Sequence, residues 1–102
     1  MRTTSEKGGP CELCGRVVGQ RTRHHLVPRS RHANKRVKRS FRREELQRTV
    51  PLCDACHRQI HRTLTEKELE RDYNTVGALL SHPGISRFVR WIEHKPHGVV
   101  AR

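Results

Sequence analysis

The sequence predicts a small α+β domain in which bound metal supplements a thin core. Three observations lead there. Apolar residues make up 32% of the 102 positions and aromatics 4%, and a short chain with so little to bury usually recruits a metal or a disulfide. The four cysteines fall in two CxxC pairs, Cys11/Cys14 and Cys53/Cys56, each a tight knuckle able to aim both sulfurs at one ion. Short β-type segments bounded by Gly or Pro occupy the first half, and helix-patterned ones the second.

Residues 1–9 read as a flexible leader, 10–95 as a single domain and 96–102 as a tail. Within the domain, 10–62 form the metal-bearing half and 63–95 a helical extension. "PCELCG" is a CxxC turn closed by Gly15, and "RVVGQ" a short strand. "RHHLVPRS" suits a second strand that ends in a turn at Pro28. Residues 29–43 are too charged to bury and lack a period, which leaves a loop or an exposed basic helix. In "LQRTVPLC" a further strand is expected, and Pro51 puts it at a sheet edge or makes it end there.

Asp54 is a candidate N-cap for a helix over 55–62. Thr65 and Glu68 have capping-box spacing, and Leu64, Leu69, Tyr73 and Val76 recur at helical intervals. Pro83 suits the first turn of a last helix with Ile85, Phe88, Val89 and Ile92 on one face and Trp91 off it. These C-terminal apolar positions are core, packed over the metal-binding half.

No export signal or membrane-length apolar run is recognisable, so the expected compartment is the reducing cytoplasm. There paired cysteines serve as metal ligands more often than as disulfides. A structural Zn²⁺ held by Cys11, Cys14, Cys53 and Cys56 is therefore expected. The 38 residues between the pairs exceed the spacing of common zinc ribbons, so a segment is inserted between the knuckles.

Charge narrows the partners. Twenty-two Lys and Arg against ten Asp and Glu give +12. Residues 21–48 hold eleven of those basic residues and two acids, the footprint of a phosphate-backbone binder. Few aromatics interleave with them, which argues against a base-stacking single-strand reader.

The histidines call for a second site. His57 and His61 are four apart and share a helix face, the spacing by which two imidazoles chelate one ion. A single zinc bound by Cys53, Cys56, His57 and His61 would orphan Cys11 and Cys14. It would also ask the helical neighbours Cys56 and His57 to meet at one point despite diverging by about 100°. Adjacent His24 and His25 on a strand point to opposite faces, so one can bind an ion and leave the other free for proton transfer.

CxxC, then HH-x-x-P, then "VPLCDACHRQIH" resembles the HNH endonuclease family, in its zinc-knuckle-bearing ββα-metal branch, over residues 10–62. The stretch "NTVGALLSHPGISRFVRWIEHK" is similar to the tail of small bacterial stand-alone HNH proteins. The resemblance implies a ββα-metal fold with two zinc knuckles and C-terminal helices. It further implies that His24, His57 and His61 bind a catalytic divalent ion, that His25 is the general base, and that phosphodiester hydrolysis leaves 5′-phosphate and 3′-hydroxyl ends. The ion is Mg²⁺, Mn²⁺, Ni²⁺ or Zn²⁺, and the expected partner is nucleic acid, double-stranded DNA first. Arg23, Arg29, Arg31, Arg48 and Arg58 are candidates for gripping phosphate.

One position departs from the family pattern. Where the family carries an Asn that braces the base-bearing loop, counting back from the helix lands on Arg48, which cannot accept hydrogen bonds as an amide does. Gln47 is one residue out of register. The departure favours a second reading, a non-catalytic zinc module that binds nucleic acid. A third is a protein-interaction module whose basic surface meets an acidic partner.

Overall fold

The structure is a computed structural model that describes residues 5–96. Residues 1–4 of the leader and 97–102 of the tail lie outside the described residues. Strands β1 (Ser5–Pro10), β2 (Val17–His25) and β3 (Thr49–Leu52) form an antiparallel sheet in the order β1-β2-β3. A 3₁₀ turn (Arg29–Arg31) and helices α1 (Lys35–Ser40) and α2 (Arg43–Leu46) lie between β2 and β3. Helices α3 (Asp54–Thr63), α4 (Glu66–Arg71), α5 (Val76–Ser81) and α6 (Pro83–Ile92) complete the order. This is a small α+β fold.

The expected leader is corrected over residues 5–9. That segment is the outer strand of a hairpin, with Glu6 opposite Arg21 and Gly9 opposite Val18. Its apolar content is nil, so periodicity could not reveal it; backbone pairing holds it, and Arg21 Nε adds a bond to the Lys7 carbonyl at 3.0 Å. The first knuckle is the turn of this hairpin. Gly15 takes φ +82°, a conformation that favours glycine, and its N–H donates to the Cys11 carbonyl at 2.8 Å.

Most of "RVVGQ" and the "RHH" of "RHHLVPRS" belong to one strand, β2, which ends at His25. Residues of β2 alternate: Val18 and His24 are buried on one face, while Val17 is 73% exposed on the other. Pro51 sits in edge strand β3 as expected, with Arg23 opposite it. The basic insertion leaves the sheet beside His25 and returns beside Thr49, its directly paired neighbour. The Leu26 N–H donates to the Arg48 carbonyl at 3.3 Å and fastens the two ends together. Inside it, the Asn34 side chain caps α1, and Val37, 1% exposed, anchors an otherwise exposed KRVKRS turn to the body.

Cys53, not Asp54, caps α3: its sulfur accepts from the Cys56 N–H at 3.5 Å. Asp54 is instead the first helical residue and pairs with Arg58 one turn on. The Thr65–Glu68 capping box forms as expected. The run through Leu69, Tyr73 and Val76 is two helices, because the Asn74 amide donates to the Glu70 carbonyl at 2.8 Å and Thr75 caps a new start. Pro83 opens α6, behind a His82 cap whose Nδ1 accepts from the Gly84 N–H at 3.0 Å. Leu52, Ile60, Leu69, Leu79, Ile85 and Ile92 are fully buried in one cluster with the four cysteines. The C-terminal helices thus close over α3, where core was expected.

Candidate metal centres

The four cysteines come together from the two places where the chain turns tightly: the β1–β2 hairpin and the start of α3. Their sulfurs all lie within 4.8 Å of one another, and Cys14 Sγ and Cys53 Sγ stand 3.8 Å apart. Zinc–sulfur bonds of about 2.3 Å in a tetrahedron set sulfurs roughly 3.8 Å apart, so the spacing fits. All four are free and buried. Backbone N–H groups of Leu13 and Cys14 point at Cys11 Sγ, at 3.4 and 3.5 Å. The four cysteines could hold a structural metal such as zinc.

Arg16 completes this centre, and sequence reasoning missed it. It is 9% exposed; one terminal nitrogen donates to Cys53 Sγ at 3.4 Å and the other to the Pro96 carbonyl at 3.1 Å. Burial alone would lower its pKa, but the thiols of Cys53 and Cys14 outweigh that and raise it. Hydrogen bonds from Cys11 pull the Cys53 and Cys14 thiols down. A guanidinium on a four-thiolate site offsets part of its net negative charge in a place water does not reach. Nothing in a lone Arg after "CELCG" announces this.

The second cluster sits where β2 meets the outer turn of α3. His24, His57 and His61 have ring nitrogens within 4.8 Å of one another, with ring centroids 5.0 to 5.4 Å apart. His24 is 1% exposed, and neither of its ring nitrogens has a hydrogen-bond partner. A buried unpaired polar group costs roughly 1–3 kcal/mol, and a cation beside the imidazole would satisfy whichever nitrogen carries the lone pair. Burial, with the neighbouring His57 next, pushes His24 down to about 3; burial also holds His57 down to about 4, and lowers His61. Neutral imidazoles are the form that binds metal. The donor set therefore fits a divalent transition ion.

His25 projects from the opposite side of β2 and stays half-buried. Burial lowers its pKa, and the charges of His32, Arg29 and Arg23 lower it further. The His32 ring lies 5.9 Å from it, centroid to centroid, and is fixed by donating from Nε2 to the Val27 carbonyl at 2.8 Å.

Of the arginines expected to meet phosphate, Arg31 is committed elsewhere. Its Nε and Nη2 both bond Glu70 Oε1, at 3.3 and 3.1 Å, and tie the 3₁₀ turn to α4. Glu70 is 8% exposed, so this half-buried pair ties Arg31 to the fold. Sequence spacing could not reveal a partner 39 residues away. Arg58 is in an exposed pair with Asp54, the kind worth little and readily exchanged for a stronger anion. Arg23, Arg29 and Arg48 have exposed side chains.

Comparison with known proteins finds YisB of Bacillus subtilis (strain 168), itself an uncharacterized protein, 39% identical over 88 residues that span 86% of this chain and 77% of YisB. The chain belongs to the YisB family. No family model matches the chain, and no solved structure matches it. Among its described residues no helix is long and apolar enough to cross a membrane.

Proposed function

We propose that this protein is a metal-dependent endonuclease of the HNH type, with a ββα-metal core formed by β2, β3 and α3. The observation that carries the reading is His24: a fully buried imidazole with both nitrogens unpaired, beside His57 and His61. A histidine so placed is costly unless something cationic meets it. The next residue in the strand, His25, faces the other way and keeps a pKa below the ordinary histidine value.

His24, His57 and His61 would hold the divalent ion, which when bound supplies charge stabilisation at the phosphate and the leaving 3′ oxygen. His25 takes a proton from water as that water attacks phosphorus. The phosphorus–O3′ bond breaks and O3′ takes a proton from solvent, leaving a 5′-phosphate and a 3′-hydroxyl. Cys11, Cys14, Cys53 and Cys56 hold the scaffold zinc, a closed set with no position for substrate. Basic residues of the insertion, with Arg23, Arg29 and Arg48 beside the site, carry double-stranded DNA by its backbone. Such contacts give little sequence preference.

The test is cleavage of supercoiled plasmid with Mg²⁺, Mn²⁺, Ni²⁺ or Zn²⁺ supplied separately, against EDTA controls and His25→Ala of verified zinc content. Nicking by the wild type that EDTA and His25→Ala abolish supports the reading. Binding without cleavage under every metal would leave the second reading, a non-catalytic zinc module that binds nucleic acid. The feature favouring that alternative is the exposed Arg48 side chain, which stands where the resemblance asks for an amide.

A further inference from the structure

The ring of His57 has two nitrogens, and one is already engaged. Thr22 Oγ1 stands 2.7 Å from His57 Nδ1, and the same oxygen lies 3.4 Å from the Leu52 carbonyl. Thr22 is paired directly with Leu52 across the β2–β3 ladder, so sheet register fixes the hydroxyl under the helix. A hydroxyl has one proton to give and lone pairs to receive with, whereas a carbonyl only accepts. Where the Thr22 proton goes to Leu52, the 2.7 Å bond is His57 Nδ1–H donating to Thr22 Oγ1; where it goes to His57 instead, Nδ1 is the acceptor. A metal at the cluster selects the first arrangement. Neutral His57 then carries its proton on Nδ1, and its bare lone pair is on Nε2, the nitrogen left for the cluster.

We infer that Thr22 is a positioning residue that sets the tautomer and ring orientation of His57 for metal binding. The inference rests on the histidine cluster being a metal site and deepens that reading. Partners behind a ligating histidine typically alter metal affinity about 10–100-fold when removed. Thr22→Val keeps the shape and suits a strand, but removes the acceptor; Thr22→Ser restores it.

The experiment uses full-length protein with its cysteine site loaded with zinc. Nitrogen-15 NMR reports the tautomer of His57 before any second ion is added, and calorimetric titration with Ni²⁺ reports affinity at the cluster. The expected result is an Nδ1–H tautomer in wild type and Thr22→Ser, lost in Thr22→Val together with an about 10–100-fold weaker Ni²⁺ affinity. Should Thr22→Val fail to fold, Thr22→Ala gives the same expected loss. Wild-type Ni²⁺ affinity in the valine variant, or an Nε2–H tautomer in the wild type, overturns the role of Thr22 and leaves the metal site standing. If wild type and His24→Leu bind Ni²⁺ equally poorly, the metal site itself is wrong, and the role of Thr22 falls with it.

Discussion

A buried imidazole with no hydrogen-bond partner works against folding, and His24 is such a group. Replacing it with an apolar side chain of similar reach removes the penalty and the ligand together. His24→Leu is therefore expected to fold, to gain up to about 3 kcal/mol when no second ion is present, and to lose any cleavage. Urea titration beside the plasmid assay checks both. The pH dependence has a definite sign. The fold holds His24 and His57 neutral, down to about 3 and about 4 against an ordinary 6.5, so the unfolded chain binds more protons between those values. Their contribution is full above 6.5 and is lost as pH falls towards 4 and then 3. Urea midpoints measured near pH ~7.5 and near pH ~5 should drop on acidification, and the drop should shrink in His24→Leu.

At the scale of elements, the basic insertion divides its charges between two tasks. Arg31 serves the fold through Glu70, whereas Lys35, Arg36, Lys38 and Arg39 of α1 are exposed, and no ion pair among the described residues includes them. Converting those four to Gln should leave thermal stability nearly unchanged, since surface changes of this kind rarely exceed about 0.5 kcal/mol. It should weaken duplex DNA binding and flatten its salt dependence by about 0.9 in log–log slope for each phosphate no longer neutralised. Anisotropy titrations across salt concentrations measure this. The elements differed in how legible they were. Cap signals are local: the Thr65 box and Pro83 lie where sequence spacing puts them. Strand β1 was invisible because its partner, not its own side chains, specifies it. The split between α4 and α5 turned on one Asn74 side chain reaching back to a carbonyl, which no periodicity encodes.

For the whole molecule, the four cysteines belong to the same hydrophobic cluster as the apolar core. Structural zinc contributes an apparent ~10–16 kcal/mol in small zinc domains, comparable to or above the roughly 5–15 kcal/mol net stability of a typical domain. Stripping the metal with a strong chelator should therefore cost the fold its cooperative transition. Circular dichroism melting, with elemental analysis finding one tightly held zinc per chain, is the check. The cysteines were legible from CxxC spacing and the His57–His61 pair from helix spacing, whereas His24 as their companion came only from the family resemblance; the structure brings both sets together. Their supports were not legible. Arg16, Thr22 and Glu70 act across 35 to 39 residues of chain on Cys53, His57 and Arg31, and only the folded sheet and helices bring them within reach.

Helix α3 follows its cap Cys53 with Cys56 in the first turn and His57 and His61 immediately after. The sulfur that closes the first cluster also caps the helix that aims the second. Peroxide converting those thiolates to sulfenic acid or disulfide would release the zinc, uncap the helix and scatter the imidazoles in a single event. Cleavage should thus fall in step with zinc release on peroxide treatment and return with reductant plus zinc. If the protein is the endonuclease proposed above, oxidation at one helix end would disable both centres together.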